Sequence, residues 1–167
     1  GARLYILGNE VMDSCQGPWT QETVRLAFES LDKQAGGRKL DVDILERGFG
    51  MGLVAGEFMD ELKKRGGTYT VIELNKQVAE FARSNWVRKR RLSDKNKAAS
   101  VLGGSTGPRF NVDFNIIPGD AYVETKKLAE EGRKFDIIAS DTFPIEKTEE
   151  SINDLFDLES LIKCIKP

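Results

Sequence analysis

Histidine is absent from this chain of 167 residues, cysteine occurs twice and proline five times. Each shortage excludes something. Without histidine there is no Ser-His-Asp or Cys-His nucleophilic machinery and no histidine-bound metal within the chain. Cys15 and Cys164 stand near opposite ends, which leaves neither a disulfide framework nor a Cys/His zinc site, and no metal site is expected. No apolar run approaches the ~20 residues of a membrane span, and the opening residues lack a signal-peptide pattern. An excess of one charge is missing too. The 25 Lys+Arg face 27 Asp+Glu, a net charge of −2. General electrostatic binding to nucleic acid or to an anionic membrane is therefore not expected, and the cytoplasm is the expected location. Any chemistry must use carboxylates, backbone donors or a bound cofactor.

What is present is an ordinary globular composition, 40% hydrophobic and 31% charged, at a length that suits one domain with a real core. No internal repeat is visible. The first stretch, residues 3–18, is mixed and turn-rich. Val24, Ala27, Phe28 and Leu31 then recur at helical spacing and predict a helix over 20–34, ended by Gly36-Gly37. Beyond it, short β-branched or aromatic runs alternate with helical ones. Strands are expected at 40–46, 68–73, 114–118 and 135–140. Helices are expected at 53–65, 76–92 (Val78, Phe81, Ala82 and Trp86 inward), 121–131 and 155–165. Strict alternation implies βαβ units and a mostly parallel, doubly wound α/β sheet of Rossmann-like type. Ligands of such sheets sit at the carboxyl ends of the strands, near the topological switch point. The chain divides into an N-terminal covering segment and helix, 1–37, and an α/β core, 38–167. Residues 87–111 interrupt the core as an insertion, basic at first and then rich in Gly and Ser. A solvated insertion and a lid or partner-docking loop are both open for it.

The strongest local signal is Glu46-Arg47-Gly48-Phe49-Gly50-Met51-Gly52, which follows a strand and opens a helix. Glycines there permit a tight turn and close backbone approach to a ligand, and the helix start adds N–H groups. The spacing differs from the dinucleotide pattern G-x-G-x-x-G, because Leu53 stands where its third glycine belongs. Glu46 suits a ligand with a positively charged amino-acid end. By itself the motif is as consistent with a turn that binds nothing. Glu73 tips the balance. It ends the next strand, 21 residues after Gly52, where a carboxylate can accept both hydroxyls of a ribose. A solvent-exposed strand-end Glu is the bland alternative. Asp120, in Pro118-Gly119-Asp120-Ala121, suits an adenine amino group and a helix N-cap equally well. Asp141 ends the fourth strand in Ser140-Asp141-Thr142-Phe143-Pro144, at the centre of the sheet's upper edge, where a group that contacts a reacting substrate belongs.

Together these residues resemble a class I S-adenosylmethionine-dependent methyltransferase, and more narrowly the guanidinoacetate N-methyltransferase family with its arginine-methylating relatives. Three stretches carry the likeness. Leu4-Tyr5-Ile6-Leu7-Gly8, Val11-Met12-Asp13 and Pro18-Trp19 are similar to the family's I-L-G, V-M-E and P-Y segment. Ile44-Leu45-Glu46 with Gly48-Phe49-Gly50-Met51 is similar to its L-E-x-G-F-G-M, and Asp141-Thr142-Phe143-Pro144 to its D-T-Y-P.

The resemblance implies S-adenosylmethionine as cofactor and a small-molecule or peptide acceptor, methylated at nitrogen. It implies that Glu46, Gly48 and Gly50 hold the methionine portion, that Met51 packs near it and that Glu73 takes the ribose. Met12 and Trp19 match positions near the cofactor and its entry. With Phe49, Leu74, Gly119, Asp120, Ala121 and Asp141 these form the expected cofactor set. Gln16, Asp141, Thr142 and Phe143 form the expected acceptor site, with Asp141 as catalytic base or orienter. Gln16 departs from the family, which carries a carboxylate there. Two carboxylates grip a guanidinium from two sides, whereas Gln16 offers no charge, so guanidinoacetate itself is not the expected acceptor. The resemblance also implies further strands after Pro167. The expectation is thus a sheet lacking its C-terminal strands, in a trimmed chain, a partly ordered one, or one completed by a second copy or another partner. Three rivals stay open: a nicotinamide-dependent oxidoreductase, a catalytically silent methyltransferase-like binding module, and a spermidine-synthase-like aminopropyl transferase.

Overall fold

The computed structural model describes residues 3–6, 9–13, 16–90, 112–140, 142 and 158–167. Strands β1 (Arg3–Ile6) and β2 (Asn9–Asp13) pair antiparallel, with a register shift between Leu4 and Tyr5. Helix α1 (Gly17–Gln34) follows, with Pro18 in its first turn, where a missing N–H costs nothing. The core then runs β3 (Val42–Arg47), α2 (Leu53–Leu62), β4 (Gly67–Glu73), α3 (Lys76–Phe81), β5 (Val112–Pro118), α4 (Ala121–Glu130), β6 (Ile137–Ser140) and α5 (Leu158–Cys164). Helix α3 continues directly into a π-helical turn (Ala82–Trp86).

The sheet is parallel throughout its four strands, in the order β5-β4-β3-β6. The chain therefore starts in the middle at β3, moves outward through β4 and β5, and returns to the other side of β3. That reversal puts the switch point between β3 and β6 and makes the carboxyl end of β3 the place for a ligand. The alternating side chains of the central strands feed two cores. Val42, Ile44, Tyr69 and Val71 pack under Val24 and Phe28 of α1, Phe58 and Leu62 of α2, and Ala82. On the other face Leu45 and Ile72 meet Leu128 of α4, Phe135 and Cys164 of α5. Helices thus cover both faces of an α/β, Rossmann-like sheet, as the alternation of runs implies. β3 and β4 are almost wholly buried, as central parallel strands must be.

Some local expectations change. The opening stretch, expected as turns, contains the β1–β2 hairpin, because strands of four and five residues give too few alternations to declare a period. Phe81, expected inward, is 41% exposed. Ala79 and Ala82 form the buried stripe instead, and Phe81 lies about 100° round the helix from Ala82. Phe135, expected in a strand, makes only an isolated parallel bridge with Ile165 ahead of β6. Residues 155–157 of the expected last helix and 91–111 of the insertion lie outside the described residues.

Candidate functional site

The turn from β3 into α2 is built from alternating glycines. Gly48, Gly50 and Gly52 have φ of 87°, 54° and 73°, left-handed values that side chains resist. Gly52 is also the residue that caps α2. A Cβ there would stand 2.6 Å from Phe49 Cζ and 2.7 Å from Trp86 Nε1, so a side chain enters only if those two rings shift. Between the glycines, Phe49 is fully buried. Its ring meets Trp86 edge-on at 5.3 Å and Phe114 at 6.5 Å. The loop is thus bare backbone above and an aromatic anchor below.

Glu73 reaches this loop from the end of β4. Its Oε2 accepts from the N–H groups of Phe49 (2.9 Å) and Gly50 (3.4 Å), and its Oε1 from Asn75 (2.7 Å). Only 7% of the residue is exposed, so the exposed strand-end reading of Glu73 does not hold. A carboxylate has about four acceptor positions, and these three amides leave one for a ligand. Adjacent bonds tie the strand ends together: Gly48 N–H donates to Ile72 O (2.8 Å) and Gly119 N–H to Glu73 O (3.0 Å). The loop's amides are therefore largely engaged within the protein.

Glu46, at the end of β3, is 2% exposed and lies beside the Tyr69 phenol. Burial first, and the Glu46 charge second, push the Tyr69 pKa well above its usual value, so the phenol stays protonated. Arg47, the next residue, is 1% exposed and the largest fully buried side chain described. Strand alternation turns it to the opposite face of the sheet from Glu46. Sequence reading passed over Arg47. The available signal was a charge inside a central strand, where parallel sheets carry apolar residues.

Asp120 is the N-cap of α4, its Oδ1 accepting from Tyr122 N (2.9 Å) and Val123 N (3.1 Å). The capping alternative is therefore present, and both bonds use the same oxygen. Gly119 and Ala121 flank it, and Leu74, 46% exposed, follows Glu73 on the same edge. Helices α1 and α2 run side by side in one direction. Gln21 bonds Glu57 near their starts (3.3 Å), and Asp32 pairs with Arg65 near their ends. The first turn of α1 accordingly lies at the glycine-loop end, with Gln16 exposed before it and Trp19 64% exposed within it. Met51 and Thr142 are half-buried. Met12 is paired through its backbone with Leu4 in the hairpin. Asp141 and Phe143 lie outside the described residues.

The carboxyl edge thus gathers Glu46, the loop, Glu73, Leu74 and Asp120. A cavity of about 260 Å³ lies elsewhere, between α1 and α2, lined by Val24, Phe28, Arg65 and neighbouring charges, and it contains none of the expected site residues. Among the described residues, no cluster of three or more Cys, Asp or Glu is placed to hold a metal. Among them too, no helix is long and apolar enough to cross a membrane.

No family model and no curated protein matches the chain. Among solved structures, the chain is similar to human methyltransferase-like protein 13 in complex with SAH, at 17% identity and a TM-score of 0.46. The match covers 92% of this chain and 58% of that one, so this chain spans less than two thirds of its neighbour's length. The fold described above stands on this chain's own strand order.

Proposed function

We propose that this chain is an S-adenosylmethionine-dependent methyltransferase of class I, acting on a small-molecule or peptide acceptor at nitrogen. One observation carries the reading: a left-handed glycine loop at the switch-point strand, buttressed by a buried acid from the end of the neighbouring strand. The fit is specific in two respects. A side chain at Gly52, where the loop enters α2, would have to displace Phe49 and Trp86. Leu53, the first residue of α2, replaces the glycine that a nicotinamide site needs for close packing.

Bound S-adenosylmethionine supplies an activated methyl group for in-line displacement. The residues of the chain bind, orient and exclude water. In this reading Glu46 and the Gly48–Met51 backbone hold the amino-acid end, with Met12 and Trp19 toward the entry. Glu73 offers its remaining acceptor position to the ribose. Leu74, Asp120 and Ala121 border the adenine, and Asp120 keeps one oxygen beyond its capping bonds for the amino group. Asp141 accepts the acceptor's proton or balances the cation that forms. Gln16, Thr142 and Phe143 complete the acceptor site, and Gln16 directs it toward a neutral or singly gripped nitrogen.

Calorimetric titration with S-adenosylmethionine and with NAD tests the premise, and binding of NAD alone would overturn it. Glu73→Ala is expected to weaken S-adenosylmethionine at least about tenfold, the worth of one strong charged hydrogen bond; unchanged affinity removes the ribose role. Asp141→Asn is expected to lower turnover with affinity nearly intact. Release of S-adenosylhomocysteine across a panel of amines, guanidines and peptides identifies the acceptor. Binding with no transfer to any of them favours the silent module, a reading that Gln16 supports.

A further inference from the structure

We propose that Trp86 is the positioning residue of the glycine loop, fixing Gly48–Gly52 in its left-handed shape by packing against Phe49 and under Gly52. The proposal deepens the cofactor reading of that loop and rests on it for the affinity part of its test. Helix α3 carries Trp86 at the end of the π-helical turn, where Val87 N–H bonds to Ala82 O, five residues back. Such turns are rare and are frequently found at functional sites. Here the turn ends on a side chain that packs against the loop at both Phe49 and Gly52, the residue that caps α2. The Trp86 ring meets Phe49 edge-on, at 5.3 Å and 88°. Its Nε1 lies 2.7 Å from the place of an absent Gly52 Cβ. It leans on Phe114 of β5 at 5.5 Å.

Trp86 is itself held from behind. The Arg90 guanidinium sits over its ring at 5.1 Å. The same guanidinium donates to Gly56 O (2.5 Å) and to Asp60 Oδ2 (2.9 Å) on α2. Arg90 thus closes a ring of contacts that runs from α2 through Trp86 to the loop and back to α2. Glu73 fixes the loop's amides from above the sheet edge, and Trp86 fixes the Phe49 ring from below. The amides of Phe49 and Gly50 go to Glu73 and that of Gly52 to Phe49 O, so loop shape is readable as amide protection.

The test compares wild type with Trp86→Ala and Trp86→Phe by residue-resolved hydrogen exchange, and by S-adenosylhomocysteine affinity well below the melting temperature. Trp86→Ala is expected to speed exchange at Phe49, Gly50 and Gly52 about tenfold, the scale of one lost aromatic pair. The amides of Tyr69–Val71 in β4 should stay at wild-type rates. S-adenosylhomocysteine affinity should fall by a similar factor. Trp86→Phe, which keeps the edge contact with Phe49, should return both to within about threefold of wild type. Unchanged loop exchange, equal acceleration of loop and β4, or unchanged affinity despite a loosened loop would each overturn the role. Should Trp86→Ala not fold, Trp86→Leu carries the same comparison. If wild type binds no S-adenosylhomocysteine, the cofactor reading fails, and the exchange data alone decide the positioning role.

Discussion

The two edges of the sheet bury acids in opposite ways. At the amino edge, Lys166 Nζ sits between Asp43 Oδ2 (2.8 Å) and Asp136 Oδ2 (2.7 Å). Asp43 N–H also donates to Asp136 Oδ2, and Asp136 N–H to Asp43 O. The last residues are stitched to the same edge, with Phe135 N–H on Cys164 O and Lys166 N–H on Phe135 O. At the carboxyl edge, Glu73 meets backbone amides of a glycine loop. A carboxylate held by a fixed ammonium leaves a buried charge behind if it is withdrawn. One held by the amides of a loop can share or exchange those donors with a ligand. The amino edge is therefore a closed seam, while the carboxyl edge keeps its charge in a form that a ligand can compete for.

Glycine substitution breaks this comparison with the largest effect. Gly67 opens β4 at the amino edge with φ of 120°, and a Cβ there would lie 2.0 Å from Val42 O. The obstacle is backbone of the central strand and cannot turn aside. Gly67→Ala is expected to abolish folding or to cost more than about 4 kcal/mol, strain and overpacking combined. Gly52→Ala at the carboxyl edge meets the side chains of Phe49 and Trp86, which can shift. Its expected cost is about 2–3 kcal/mol, together with lost S-adenosylmethionine affinity in the folded fraction. Urea denaturation of both variants measures the difference. Equal costs would mean that the loop edge is as rigid as the seam.

The same contrast explains what the sequence disclosed. The α/β order and the loop were legible because they are local: alternating runs, spaced glycines and a terminal acid each fall within a few residues. Placing Glu73 opposite Gly48–Gly52 needed only the rule that adjacent strands pair in parallel. Its bonds to Phe49 and Gly50 were not legible, since the loop's amides could equally have faced a ligand. The amino-edge seam was invisible for a similar reason. Asp43, Asp136 and Lys166 are 30 to 123 residues apart, and no spacing rule links them. Arg47 was missed because a charge inside a central strand runs against the apolar pattern by which such strands are recognised. Trp86 was expected inward, but its contact with the loop depends on a π-helical turn that residue periodicity does not encode.

Lowering the pH sharpens the contrast at intermediate size. Asp32, near the end of α1, takes both guanidinium nitrogens of Arg65, at 2.5 and 3.0 Å, and the N–H of Lys39 at 2.9 Å. The Arg65 bonds, against the opposing effect of partial burial, hold the Asp32 carboxyl below its ordinary pKa. A depressed carboxyl contributes stability above its unfolded pKa of ~3.9, and loses it as pH falls through the folded value. Thermal melts from pH 5 to pH 2 should show this loss, about 1 kcal/mol for a partly exposed pair. Asp32→Asn should flatten that part of the acid limb and leave S-adenosylmethionine affinity unchanged. A fall in affinity would show that the α1–α2 clamp also shapes the glycine-loop edge.

Raising the pH tests the seam itself, with the smallest effect. Burial alone would lower the Lys166 pKa, but its bonds to Asp136 and Asp43 outweigh that, so the ammonium titrates above the usual lysine value. The sign is opposite to that of Asp32. The contribution is complete below the unfolded lysine pKa of ~10.4 and is lost as pH rises through the higher folded value. Lys166 keeps about a third of its side chain exposed, so water screens the pair and the loss should be about 1 kcal/mol or less. Lys166→Met removes the ammonium and keeps the stem. It should lower stability at pH 7, because Asp136, with a side chain only 3% exposed, then keeps a buried charge without its nearest cation. It should also remove the alkaline decline that wild type shows above pH 10. Were Lys166→Met as stable as wild type at pH 7, the Asp43 N–H and the more distant Lys39 ammonium, 3.9 Å from Asp136 Oδ1, would suffice for Asp136. The seam would then not depend on its fixed Lys166 ammonium, and the contrast between the two edges would collapse.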